Sequence, residues 1–257
     1  MTLFSRILGL VRDVVFARFF GATIVMDAFI VANRILANED VVDAYGHVSI
    51  RHPENPEHYF LSCSRSPELV QRSDIMEFML DGTPVGGDSR NPYLERFIHG
   101  AAYERNPKTR AVVHSHADEV LPFTISTQPL LPVIHSAGLM GTQPPVWDIA
   151  EKFGDTTLLV ANMDQGRDLA TALAERRIVL MRGHGFTAAG RSLSEVVRLS
   201  VMLPRNARIL TTALQFGGLK PLSPGEIALR ETMNPDGKEF YRAWEYWAMR
   251  AGCGDML

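Results

Sequence analysis

Cysteine is scarce in this chain of 257 residues, with only Cys63 and Cys253. They are far apart in sequence and form no CxxC pair. No disulfide framework is therefore available, and a reducing cytoplasm is the expected compartment. Long apolar runs are also missing. No uncharged stretch reaches the length of about 18 residues needed to span a bilayer, and no small-residue cleavage site follows a short apolar core. Positive charge is not in excess. The net charge is −3, and no Lys/Arg cluster could track phosphates, so no nucleic-acid partner is expected. Internal repeats and low-complexity segments are absent. What remains is 46% hydrophobic and 21% charged, which suits one large globular domain, with or without appendages, and a sizeable core.

Residues 1–27 differ from the rest. They are rich in Phe, Val and Leu, and the charges Arg6, Arg12, Asp13 and Arg18 do not gather on one helical face. The strings MTLFSRILGLVRD, ARFFGAT and MDAFIVA resemble the N-terminal membrane segment of the lipid II flippase family. The resemblance stops near Val31 and Ala32. Residues 1–27 are therefore expected to be an atypical helical leader, and residues 28–257 a domain of their own. Three readings of the leader stand: an arm packed on the domain or a neighbouring subunit, a foreign leader joined in frame, or a membrane attachment. Membrane association is not the expected state.

The remaining chain alternates helix and strand signals. Residues 28–36 read as a helix, 46–51 and 59–62 as strands around a Pro/Asn-rich loop, and 75–85 as two strands joined by a turn. A helix should carry Glu95, Phe97 and His99. Residues 111–113 read as a buried strand because Val packs well on a pleated surface. Further helices are expected at 118–126, 168–175, 192–213 and 238–251, with Pro204 kinking or dividing the third. Strands are expected at 133–135, from Val146, and at 177–182 with 186–189 continuing the last.

The residues that carry chemistry are histidines and one carboxylate. His114 and His116 are two apart on the strand, so they project from one face and can share a metal ion. His184 ends a strongly apolar strand between Gly183 and Gly185, which let the backbone come close to a ligand without a Cβ in the way. Three neutral imidazoles with an open position make a catalytic site rather than a closed structural one. Glu95 is the natural acid/base, or a displaceable fourth ligand.

Glu95, then His99, then the HxH of His114 and His116, then His-Gly at 184–185, together resemble the class II aldolase/adducin family over about residues 28–250. The resemblance implies an α/β fold, three layers α/β/α around a central, largely antiparallel sheet. It implies homotetramers with sites near subunit interfaces. It implies His114, His116 and His184 as ligands of one divalent metal, Zn or Mn with Co or Fe as alternatives, and Glu95 as the catalytic carboxylate. Phosphosugar aldolases of the family carry a serine pair before the glutamate and a Gly-Asn pair upstream. Here these are Tyr93-Leu94 and Gly46-His47, which disfavours a phosphorylated substrate. The chain instead offers Arg65, beside Ser64, and Arg182, whose guanidinium forks suit carboxylates. This resembles the branch that decarboxylates hydroxylated aromatic or heteroaromatic acids, such as 3-hydroxy-2-methylpyridine-4,5-dicarboxylate decarboxylase and 3,4-dihydroxyphthalate decarboxylase. The expected partner is thus a small hydroxy-aryl carboxylate. An aldolase for an unphosphorylated hydroxy-keto acid and a non-enzymatic adducin-like module are the alternatives.

Several residues keep two readings. His47 either makes a structural hydrogen bond or touches substrate. His99 either orients Glu95, one helical turn before it, or packs. His135 either approaches the site or ends a strand. Ser136 stands where the phosphosugar aldolases have a functional Tyr, which removes an aldolase-style proton donor. Arg65 and Arg182 bind substrate or form ion pairs. Tyr241 and Tyr246, in an aromatic final helix, are core or interface residues, or close a neighbouring site. His52 and His58 belong to a polar surface loop.

Overall fold

A computed structural model describes residues 25–233 and 237–257. The expectations for residues 1–24 lie outside it. The first helix, α1, covers residues 25–38. Its side chains Phe29, Ile30, Val31, Ile35 and Leu36 are buried. Seven strands follow: β1 (His47–Arg51), β2 (His58–Ser62), β3 (Ile75–Met79), β4 (Ala111–Ser115), β5 (Val146–Trp147), β6 (Ile178–Met181) and β7 (Gly185–Gly190). They form one sheet in the order β3-β2-β1-β4-β7-β6-β5. Every pairing is antiparallel except β5 with β6. The expected largely antiparallel sheet is present.

Alternation along the strands sends side chains to two cores. Ala111, Val113, Ile178 and Leu180 join one cluster, and Val112, Val179 and Met181 the other. The first is covered by α1, by α6 (Leu193–Phe216) and by α8 (Lys238–Arg250). The second is covered by α2 (Arg96–Arg105) and α5 (Met163–Leu173), through Ile98, Ala102, Tyr103, Leu169 and Leu173. Helices on both faces of a two-sided sheet give the three layers. The shorter helices are α3 (Leu121–Ile125), α4 (Ala150–Phe153) and α7 (Pro224–Glu231). No described helix is long and apolar enough to cross a membrane.

Four local expectations need correction. Residues 133–135 are not a strand. The Val133 amide donates to Asn206 Oδ1 on α6 at 2.8 Å, so the segment binds a helix side chain instead of a sheet neighbour, and a 3-10 turn runs from His135 to Met140. The second strand expected before residue 85 reduces to a single bridge between Phe78 and Pro84. Residues 186–189 do not continue the preceding strand. They belong to β7, which turns back antiparallel on β6. Of the two outcomes expected at Pro204, kinking or dividing the helix, division does not occur, and α6 runs unbroken through it. Helix α5 also starts earlier than the apolar pattern suggests, because the Asn162 side chain caps it by accepting from the Gln165 amide at 3.0 Å.

Candidate metal centre

One end of the sheet gathers the histidines. His114 is on β4, opposite His47 at the start of β1. His116 lies just beyond the end of β4, and His184 occupies the turn between β6 and β7. Gly183 (φ 62°) and Gly185 (φ 153°) frame that turn in backbone conformations that suit glycine. A Cβ on Gly185 would also lie 2.0 Å from the Ser115 carbonyl oxygen. The close approach of β7 to β4 brings His184 beside His114. Glu95 is the N-cap residue of α2, at the edge of the same cluster.

Glu95, His114, His116 and His184 could together hold a metal ion, one ligand atom from each lying within 4.8 Å of the others. His114 Nε2 is 2.9 Å from His116 Nε2 and 3.3 Å from His184 Nε2. Glu95 Oε2 is 3.5 Å from the Nε2 atoms of His114 and His184. Donors about 2.0–2.1 Å from a tetrahedral ion stand roughly 3.3 Å apart, so the spacing fits one ion.

The other ring nitrogens explain why the Nε2 atoms converge. His114 Nδ1 meets the Phe186 carbonyl at 3.1 Å, and His184 Nδ1 meets the Leu158 carbonyl at 2.9 Å. His116 Nδ1 meets Asp43 Oδ1 at 3.1 Å. These partners only accept, so each Nδ1 carries the proton and each neutral ring turns a bare Nε2 lone pair inward. Three lone pairs facing one point repel unless a cation lies among them. The donor set therefore fits a metal ion on its own chemistry. Asp43 is itself fixed by the amides of Tyr45 and Gly46, each donating at 2.8 Å. Burial works against its ionisation, but those amides and His116 hold its pKa below the usual value. Sequence reasoning missed Asp43; its place three residues before a turn glycine was the available signal.

Burial also opposes the charge on Glu95. Positive charge on His114 or His184 outweighs it and holds the carboxyl far below the usual range, as a cation bound among the neutral rings would. Glu95 Oε1 accepts from the Val160 amide at 2.9 Å, which leaves Oε2 as the oxygen facing the imidazoles. Burial pushes His114 down to about 4 against the pull of Glu95.

The other sequence candidates divide. His47 is in the cluster, its ring centroid 5.1 Å from that of His114 and 4.6 Å from that of Tyr93. His99 contacts His47 rather than Glu95, with Nε2 at 2.6 Å from His47 Nδ1. Tyr93 donates its hydroxyl to the Arg65 carbonyl, which ties the Ser64-Arg65 loop to the ring over His47. The Arg65 Nε is engaged by Leu69 O and Asp74, and among the described residues its Nη atoms make no hydrogen bond. Ser64 is exposed. Arg182 pairs with Asp148 at 2.6 Å. His135 and Tyr246 are not brought to the cluster. They line a separate cavity with Arg198, Arg205, Arg208 and Arg242. Tyr241 is an exposed residue of α8.

Residues 27–211 match the Class II Aldolase and Adducin N-terminal domain. The chain belongs to the class II aldolase and adducin family. It is 34% identical to decarboxylase tropJ of Talaromyces stipitatus, over 91% of this chain and 97% of that protein. It is 27% identical to the 3,4-dihydroxyphthalate decarboxylase of Arthrobacter keyseri, over 79% of this chain and 84% of that one. The fold is similar to that of an aldolase II superfamily protein from Pseudomonas syringae, with a TM-score of 0.73, 18% identity, and coverage of 90% of this chain and 93% of the other. The family's fold is thus the one described above, and it includes relatives named as decarboxylases.

Proposed function

We propose that the protein is a metal-dependent carbon–carbon lyase that decarboxylates a hydroxylated aromatic or heteroaromatic carboxylate. The observation that carries this reading is the convergence of three imidazole Nε2 atoms with Glu95 in a chain whose relatives include decarboxylases. His114, His116 and His184 hold one divalent ion, Zn or Mn with Co or Fe as alternatives, and three imidazoles beside a carboxylate accept any of the four. The bound ion supplies a Lewis acid for the negative charge left when the carbon–carbon bond breaks.

The chain's own residues do the rest. Glu95 Oε2, the oxygen not held by Val160, is an ionised carboxylate that takes the proton of the substrate hydroxyl as it binds and then passes it to the carbon that loses carbon dioxide. The Nη edge of Arg65 is open and takes a retained carboxylate as a planar fork. Tyr93 and Leu94, next to Glu95, present an aromatic ring and an exposed apolar side chain where a phosphate grip would need hydroxyls. They favour an aryl ring over a sugar phosphate. Assembly as a homotetramer belongs to the same reading, with the exposed Tyr241 and Tyr246 of α8 available to an interface.

The test is product analysis. Metal-loaded protein is incubated with a panel of hydroxy-aryl mono- and dicarboxylates and, separately, with hydroxy-keto acids. Carbon dioxide release from the first set is expected. Aldehyde release from the second, with none of the first reaction, would replace the decarboxylase by an aldolase.

A further inference from the structure

Behind the metal centre runs a chain of four buried polar groups that the lyase chemistry does not use. His47 Nδ1 lies 2.6 Å from His99 Nε2, His99 Nδ1 lies 2.6 Å from Ser49 Oγ, and Ser49 Oγ lies 2.7 Å from Tyr103 Oη. None of the four residues is more than 2% exposed. Ser49 has one proton to give and sits between two partners, so the direction of each bond is coupled to the next.

We propose that Tyr103, Ser49 and His99 form a one-way hydrogen-bond chain that fixes His47 as a neutral Nε2–H donor facing the metal centre. Tyr103 and Ser49 set the direction. A phenol is more acidic than an alcohol and donates when the two are paired, so Tyr103 donates to Ser49. Ser49 then spends its own proton on His99 Nδ1. Burial pushes His99 down to about 3, so it carries one proton, which must be on Nε2 and is donated to His47 Nδ1. A second proton on His47 Nδ1 would have no room in the 2.6 Å gap between the rings. The proton of His47 is left on Nε2. That nitrogen has no partner among the described residues, and its ring lies against His114.

The chain orients and does not conduct. Passing a proton outward would leave Tyr103 as a phenolate, and burial raises its pKa well above the ordinary value. Tyr103, Ser49 and His99 are therefore positioning residues. His47 Nε2–H is a preorganised donor for a substrate oxygen that gains charge, and it costs no reorganisation when the charge appears. This donor role rests on the lyase reading; the tautomer does not.

Nitrogen-15 spectroscopy of the zinc-loaded full chain, labelled at histidine, reads the tautomer directly, with His47→Gln assigning the signals. His47 and His99 are expected as Nε2–H rings with bare Nδ1 atoms. In Ser49→Ala, His99 loses its donor, and His47 should become a mixture of tautomers while bound zinc stays at the wild-type level. Tyr103→Phe should shift His47 the same way by less. A proton on His47 Nδ1 in the wild type, or an unchanged His47 in both variants, would overturn the proposal. With a substrate in hand, His47→Leu should lower kcat by about 10²–10³-fold. His47→Gln, which keeps an N–H, should recover part of that loss. The expected tautomer without any carbon dioxide release would leave the chain standing and remove the decarboxylase reading; the reverse pair of results would do the opposite.

Discussion

The Nε2 atoms of His114 and His116 lie 2.9 Å apart, although in their neutral forms neither ring has a proton to place between them. The Phe186 carbonyl holds the Nδ1 proton of one, and Asp43 holds that of the other. Such a contact is stable when a cation takes both lone pairs, and every prediction about the centre follows from it.

His114→Ala should remove the metal and the activity together. His114 is fully buried at the middle of the cluster and approaches both other imidazoles. Metal content of the purified variant, measured beside its turnover, checks this. A variant with full metal content would show that the ion is held elsewhere.

Glu95→Gln should behave differently. The amide keeps the shape and can still meet the Val160 amide with its oxygen, but it cannot carry the proton. Metal content should stay near the wild-type level, and turnover should fall by about 10²–10⁴-fold. Near-native turnover would remove Glu95 from the proton transfer.

Asp43→Asn tests the support behind His116. Neutralising the carboxylate weakens its hold on the His116 Nδ1 proton and lowers the basicity of the ring. Metal affinity should fall by about 10–100-fold, measured by competition with a chelator of known affinity. The fold should be unaffected, because Asp43 is half-exposed.

Away from the centre, Glu195 predicts a pH dependence of stability. Its carboxylate is buried and faces Arg177 at 3.4 Å and Arg191 at 2.7 Å. Burial opposes its charge, but these arginines hold its pKa below the ordinary value. A depressed folded pKa gives stability that is present above the unfolded pKa and is lost as pH falls through the folded one. Glu195→Gln should cost about 1.5–3 kcal/mol near neutral pH, from hydrogen bonds to a charged group. The gap between variant and wild type should narrow as pH drops below the usual carboxylate range. Denaturant unfolding at several pH values measures it, and a gap that widens toward acid would reverse the sign.

Much of the centre was legible before any coordinates. His114 and His116 declare themselves by a spacing of two after a β-branched run, and His184 by its flanking glycines. What the sequence hides is what holds those rings. Phe186 O and Leu158 O are backbone atoms, and any residue type supplies them equally well. Asp43 lies on a loop 73 residues from its histidine in sequence. The apolar run at 133–135 reads as a strand because periodicity cannot tell that Asn206, on a distant helix, takes the Val133 amide. His99 is legible as a turn-neighbour of Glu95, yet it bonds His47 on a strand 52 residues earlier, a pairing created only by the packing of α2 on the sheet.

The most direct test of the account is a metal titration of the metal-free protein, with the rate of carbon dioxide release from a hydroxy-aryl dicarboxylate as the readout. The rate should rise in proportion to added Zn or Mn and level off at one ion per chain, and the His114→Ala protein should stay flat throughout. An undiminished rate in the metal-free protein, or a plateau reached without regard to His114, would contradict it.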